Sequence, residues 1–135
     1  MKAFKVITVL VLMLLLQTGG IGTTYAAVNW QNLTITNRTG YTIKALYIAP
    51  ASKDEKTIDW GKEQLTYLGK AKLDDGKYIA LTYNPDRTNW WMKIIFKNGV
   101  TRAMRIGDLA GKHQLTIVSM GKDKYDNEQF KCQLK

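Results

Sequence analysis

The sequence predicts an all-β fold: an antiparallel β-sandwich of about seven strands with an immunoglobulin-like look, with a small β-barrel as the alternative. Two observations predict this class. Short segments in which apolar and polar residues alternate follow one another along the chain, and turn-forming residues separate them. Between two such segments lies Asn98-Gly99, the residue pair preferred in two-residue hairpin turns.

The first 26 residues have the organisation of a secretory signal peptide. Lys2 and Lys5 precede an apolar run that reaches Leu16, and small residues then lead to Ala26, where we expect cleavage. The apolar run is shorter than the roughly 20 residues that span a bilayer, and no later stretch is predicted to span one. We therefore expect an exported protein, periplasmic or extracellular, whose residues 27–135 form a single β domain.

The mature part of the chain is basic. Without Lys2 and Lys5 it has 18 cationic residues against 11 anionic ones, a net charge of +7. Such a charge suits an anionic envelope polymer or an acidic protein surface as partner, whereas charge that only keeps the protein soluble is the alternative. Acidic residues interrupt the cations and no lysine or arginine block occurs, which argues against dedicated nucleic-acid binding.

The first two predicted strands flank a polar turn at residues 37–40. Asn37 can bond to its own downstream backbone, and Gly40 can take a positive φ. In the return strand the apolar alternation changes phase, so we expect a β-bulge near Lys44 and Ala45. Pro50 cannot donate to a β-ladder, and it therefore ends the strand or lies at an edge.

Residues 52–68 are the least strand-like part of the domain. Ser52 and Glu55 match a helix-capping pair, which predicts one short helical turn in this polar excursion. Trp60 and Leu65 are expected to pack the excursion onto the core.

The hairpin around Asn98-Gly99 supplies the candidate binding surface. A two-residue turn puts Trp90 and the alternate residues after it on one face, and burying the cations of the opposite face unpaired would be costly. The Trp90 face is therefore predicted to be the core. The opposite, outward face is the predicted binding surface, and it consists of Trp91, Lys93, Ile95, Lys97 and Arg102.

Cys132 is the only cysteine, so an intramolecular disulfide is impossible. Phe130, Cys132 and Leu134 alternate with polar residues, which puts all three on one strand face and predicts that the thiol fills the core.

The sequence assigns no catalytic residue, metal site or cofactor. His113 is the only histidine, and a thiol triad of Cys132, His113 and Asp108 is the enzymatic alternative. Asp74 and Asp75 are adjacent in a turn, where their carboxylates point apart. Zinc requires more cysteine or histidine ligands than the chain offers.

The stretch "NRTGYTIKALYIAP" at residues 37–50, with Asp59-Trp60-Gly61, a turn at residues 74–77, "KNG" and Gly107-Asp108-Leu109, resembles a group of small exported bacterial proteins. The resemblance covers residues 33–117 and implies a β-sandwich without an assigned activity. Members of this group often carry two cysteines. Asn89 and Ala110 stand at those places here, so no disulfide or redox role is implied.

Together these observations predict an exported, non-catalytic domain that acts by binding or protein interaction in the bacterial envelope. Two alternatives stay open: a small secreted enzyme, either a thiol or a carboxylate hydrolase, and a secreted inhibitor or immunity-type protein.

Overall fold

The computed structural model describes residues 30–51, 57–87 and 89–135. In chain order, the elements are β1 (Gln31–Arg38), β2 (Ile43–Pro50), α1 (Gln64–Tyr67), β3 (Tyr78–Tyr83), β4 (Trp90–Phe96), β5 (Thr101–Gly107), β6 (Gln114–Lys122) and β7 (Glu128–Leu134). The predicted all-β class is confirmed, and α1 is the short helical turn expected within residues 52–68. The predicted signal peptide and the Ser52–Glu55 capping pair lie outside the described residues.

The strands form two sheets, with the orders β3-β1-β6-β7 and β2-β4-β5. This is a sandwich of four and three strands, and within the described residues neither sheet closes into a barrel. One pair departs from the antiparallel arrangement, since β1 and β6 run parallel. The strand counts equal those of an immunoglobulin constant domain, but the strand order differs from its ABED and CFG sheets.

The core lies between the two sheets and is built from alternate residues of each strand. β4 shows the alternation most clearly, because Trp90, Met92, Ile94 and Phe96 are all buried, as predicted. From the other sheet, β1 and β6 contribute Leu33, Ile35, Leu115 and Ile117, each fully buried. Burial of these apolar side chains is the main stabilising contribution to the fold.

The predicted irregularities of β2 are confirmed. Its register against β4 shifts between Ile43 and Ala45, which is the expected bulge, and the strand ends at Pro50 on the edge of its sheet. Glu63 covers part of this edge, since its Oε2 accepts the backbone N–H of Leu46 at 3.0 Å. The same carboxylate caps α1 by accepting the N–H groups of Leu65 and Thr66. Contact with Glu63 therefore blunts an edge that could otherwise pair with another chain.

The pKa of Glu63 reflects this position. Partial burial opposes ionisation of the carboxyl, but the hydrogen bonds from Leu46, Thr66 and Leu65 outweigh it and hold the pKa below its ordinary value.

The polar turn after β1 is a closed hydrogen-bond network. Asn37 is fully buried, and its amide donates to the carbonyls of Tyr41 (2.7 Å) and Leu73 (2.9 Å). Its Oδ1 accepts the N–H and the hydroxyl of Thr39, at 3.0 and 2.7 Å. Gly40 has φ +81°, as expected for this turn. Because every donor and acceptor of the Asn37 side chain is satisfied internally, this stretch is structural.

The β4–β5 hairpin differs from the prediction in its turn. Phe96 N–H donates to Val100 C=O and Gly99 N–H to Phe96 C=O, both at 2.9 Å, so three residues form the loop. Gly99 has φ +88°, whereas Asn98 has no positive φ. A type I turn followed by one left-handed glycine explains this geometry. The predicted two-residue turn is wrong, and the extra loop residue reverses the faces of β5 relative to β4.

Candidate functional site

The outer face of the three-stranded sheet carries three of the five predicted surface residues. Trp91, Lys93 and Ile95 alternate along β4 with the buried residues, and each is half-buried. On β2 they lie opposite Ala49, Tyr47 and Ala45. The prediction that these three side chains face away from the core is confirmed.

Lys93 is the centre of this face. Its ammonium nitrogen lies 4.4 Å from the centroid of the Tyr47 ring and 5.1 Å from that of Trp60. A cation in contact with aromatic rings is attracted to their negative faces, and two rings hold the lysine in one position. Trp60 was expected to pack its segment onto the core; instead it reaches the outer face of the sheet.

Sequence reasoning missed Tyr47 and Trp60 as members of this surface. Tyr47 could have been placed from the bulge, because a shift near Ala45 puts Leu46 and Ile48 inward and Tyr47 outward. No signal in the sequence placed Trp60, which comes from the segment before α1 and not from a strand of the sheet.

Arg102 does not belong to the outer face, and its assignment there is wrong. In the register of the hairpin Arg102 lies opposite Ile94, on the inward side of β5. The three-residue loop is the physical reason, since it moves every β5 side chain to the face opposite from that predicted. Arg105 takes the predicted role instead, because it lies opposite Trp91 and is exposed. Lys97 is exposed but follows β4 in the turn, at the end of the sheet.

We call the set that the structure brings together the aromatic–cationic face; it comprises Tyr47, Trp60, Trp91, Lys93, Ile95 and Arg105. The ion pairs among the described residues are Lys72–Asp74 and Lys122–Asp126. Within that part of the chain neither cation of the face is neutralised by a carboxylate. Arg105 instead donates to the side-chain oxygen of Asn89 at 2.6 Å. The face therefore carries uncompensated positive charge beside three aromatic rings.

The residues of the alternative thiol triad are not brought together. Cys132 lies opposite Ile117 in the β6–β7 pair. The backbone N–H of His113 instead donates to the carbonyl of Lys135, which is three residues beyond Cys132. At the rise of a strand this separation is about 10 Å. Burial raises the pKa of the Cys132 thiol to about 12, and its sulfur lies 3.3 Å from that of Met104. Asp108 accepts the N–H of Ala110.

Cys132 is instead a packing residue, as its strand pattern predicts. Together with Phe130 and Leu134 it packs against the hydrophobic core from β7. The Phe130 ring stacks on Phe96 with centroids 4.7 Å apart, and this contact joins the two sheets.

The carboxylates of the turn at residues 74–77 hold the polar network around Asn37. Asp74 accepts the hydroxyl of Thr42 at 2.9 Å, and Asp75 accepts the N–H of Gly40 at 2.9 Å. The hydrogen bond from Thr42 is the main cause that lowers the pKa of Asp74, and Lys72 adds to it. These two groups bind different parts of the neighbouring turn. No cluster of three metal-ligating side chains occurs in the described parts of the chain.

Among the described residues, no helix has both the length and the apolar character needed to cross a membrane.

A comparison with protein-family models found no match, and neither did a comparison with curated proteins. Two solved structures show a distant similarity. One is titled "Trapped Toxin", with 15% identity, a TM-score of 0.41, and coverage of 78% of this chain and 23% of that one. The other is titled "Crystal structure of the human-specific toxin intermedilysin", with 16% identity, a TM-score of 0.41, and coverage of 80% and 24%. This chain thus spans about a quarter of each.

Proposed function

We propose that this protein is an exported, non-catalytic β domain that binds an anionic polymer of the bacterial envelope through the aromatic–cationic face. The observation that carries the proposal is the position of Lys93, whose ammonium lies over both the Tyr47 and the Trp60 ring on the outside of the sheet. The rings fix the cation in place before any partner arrives, which lowers the entropic cost of binding.

The side chains of the aromatic–cationic face suit a polymer that carries both ring-shaped units and negatively charged groups. Lys93 and Arg105 attract negative groups, and the net charge of the mature chain strengthens the attraction at long range. Trp91 and Ile95 offer half-exposed apolar surface next to those charges. Aromatic residues and arginine are also among the types enriched where proteins bind protein partners.

A non-catalytic role is supported by what the reactive side chains do. The Cys132 thiol packs against Met104 inside the sandwich, and the raised pKa keeps it protonated at neutral pH. Asp74 and Asp75 bind the neighbouring turn. The two carboxylates thus hold a side-chain hydroxyl and a backbone N–H of this turn, which is a structural use of both.

Retention on immobilised polygalacturonate tests the proposal directly. We expect the protein to be retained at low salt and to elute as ionic strength rises, because screening weakens contacts between exposed charges. The double variant Lys93→Glu/Arg105→Glu is expected to elute much earlier. The matched control is Lys77→Glu/Lys131→Glu, which changes the net charge equally at two exposed lysines outside the face.

If the control elutes as early as the face variant, net charge alone explains retention and the proposed surface is wrong. Retention on an acidic protein matrix, with none on polygalacturonate, would assign the face to a protein partner instead.

A further inference from the structure

A concave site separate from the aromatic–cationic face lies at the end of the sandwich, where β2 and β3 end and β4 begins. It is a cavity of about 590 Å³, and its lining includes Pro50 of β2, Tyr83 of β3 and Trp90 of β4. A volume of this size is in the range of sites that hold small organic ligands. The cavity shares no residue with the aromatic–cationic face.

Aromatic rings form part of the wall. Trp30 is 60% exposed at the cavity, and Trp90 lies deeper, at 7% exposed. The Trp90 ring is held by two contacts: its Nε1–H donates to the carbonyl of Arg87 at 3.0 Å, and the Tyr83 ring packs edge-on at 5.9 Å. These two contacts orient the Trp90 ring in the floor of the cavity.

Polar side chains of opposite character line the same cavity: Asp59, Gln64, Asn84 and Arg87. Three of them are oriented by local bonds. Asp59 Oδ1 accepts Gly61 N–H at 3.1 Å, Gln64 Nε2 donates to Lys62 C=O at 3.1 Å, and Asn84 Oδ1 accepts Asp86 N–H at 2.9 Å. The second polar atom of each of these three side chains makes no hydrogen bond to another described residue. The Arg87 guanidinium has no partner among the described residues.

The mixture of charges selects the ligand class. A carboxylate only accepts hydrogen bonds and a guanidinium only donates them, whereas a sugar hydroxyl does both. Asp59 would repel a phosphate, and Arg87 would repel a cation. Apolar rings beside such groups suit the C–H faces of a pyranose ring. We propose that this cavity binds a neutral oligosaccharide, with Asp59 and Arg87 as its principal hydrogen-bonding groups.

Calorimetry of the purified protein with cellotriose, chitotriose and maltotriose, each at up to about 10 mM, tests the proposal. We expect at least one trisaccharide to bind. Arg87→Gln and Asp59→Asn are each expected to weaken that binding about tenfold or more, because hydrogen bonds to charged groups are the stronger ones. Both side chains are exposed, so these variants should fold.

The control is Lys93→Gln, which alters the other surface and should leave trisaccharide affinity unchanged. Three results would overturn the proposal: no binding of any of the three sugars, binding that both cavity variants leave intact, or binding that only Lys93→Gln weakens. Since retention on a polyanion depends on the other face, this site can fail while the proposed function holds.

Discussion

Asn37 and Lys93 are polar residues on strands of the two different sheets, yet the fold uses them in opposite ways. Asn37 is fully buried and makes four hydrogen bonds, all within the protein. Lys93 lies on the outside of a sheet, where two aromatic rings contact its ammonium but no carboxylate of the described residues pairs with it. The comparison separates a polar group whose bonds are all made within the fold from a cation that the described residues leave without a carboxylate partner.

Replacing Asn37 with alanine tests whether the buried residue of this comparison stabilises the fold. The variant removes all four bonds and leaves the buried N–H of Thr39 without its acceptor, so we expect a loss of about 3 kcal/mol or more in the free energy of unfolding. Urea denaturation measures this loss. The control is Asn32→Ala on the exposed side of β1, which should change stability by less than about 0.5 kcal/mol. Equal effects of the two variants would show that the Asn37 network does not stabilise the protein.

Cys132 adds to this comparison a titratable group that packs against the hydrophobic core. Burial raises its pKa from 9.0 to about 12, so between these values the unfolded chain loses a proton that the folded chain keeps. The contribution of the neutral thiol to the free energy of unfolding is complete below pH 9 and is lost as the pH rises toward 12. Midway between these two values, about 2 kcal/mol of this contribution has been lost.

Urea denaturation of the wild type and of Cys132→Ala across this pH range isolates the effect of the thiol. Tyrosines and lysines titrate in both proteins, so only the difference between the two curves reports on Cys132. The wild type should lose stability more steeply than the variant above pH 9. Parallel curves would mean that the thiol is open to solvent.

Lys93→Gln is expected to have the smallest effect on stability. It removes two cation–ring contacts at a half-exposed site, each worth about 0.5–1 kcal/mol, while glutamine keeps part of the packing. The free energy of unfolding should fall by about 1 kcal/mol, well below the Asn37→Ala effect. A loss as large as that of Asn37→Ala would make Lys93 a structural residue and remove the contrast.

The local pattern of the chain was sufficient to predict the strands, the β2 bulge and the buried face of β4. These features depend on alternation and turn chemistry over a few residues. The parallel pairing of β1 with β6 could not be predicted, because it joins segments about 80 residues apart in sequence.

The composition of the aromatic–cationic face was predicted only in part, and one backbone conformation accounts for the main error. Asn98-Gly99 fits both a two-residue turn and the last two positions of a three-residue loop, and the choice decides whether Arg102 or Arg105 joins Trp91. Trp60 reaches the face from outside the sheet, a placement that strand periodicity does not address. The end cavity likewise combines loops that are distant in the sequence.

Iodide quenching of tryptophan fluorescence, with and without polygalacturonate, tests most directly whether the aromatic–cationic face meets the partner. In a Trp30→Phe variant the accessible tryptophans are Trp60 and Trp91, since Trp90 is buried. We predict that iodide quenches the free protein and that bound polymer protects both rings. Unchanged quenching under conditions where the polymer is bound would contradict the account, because the partner would then occupy another surface.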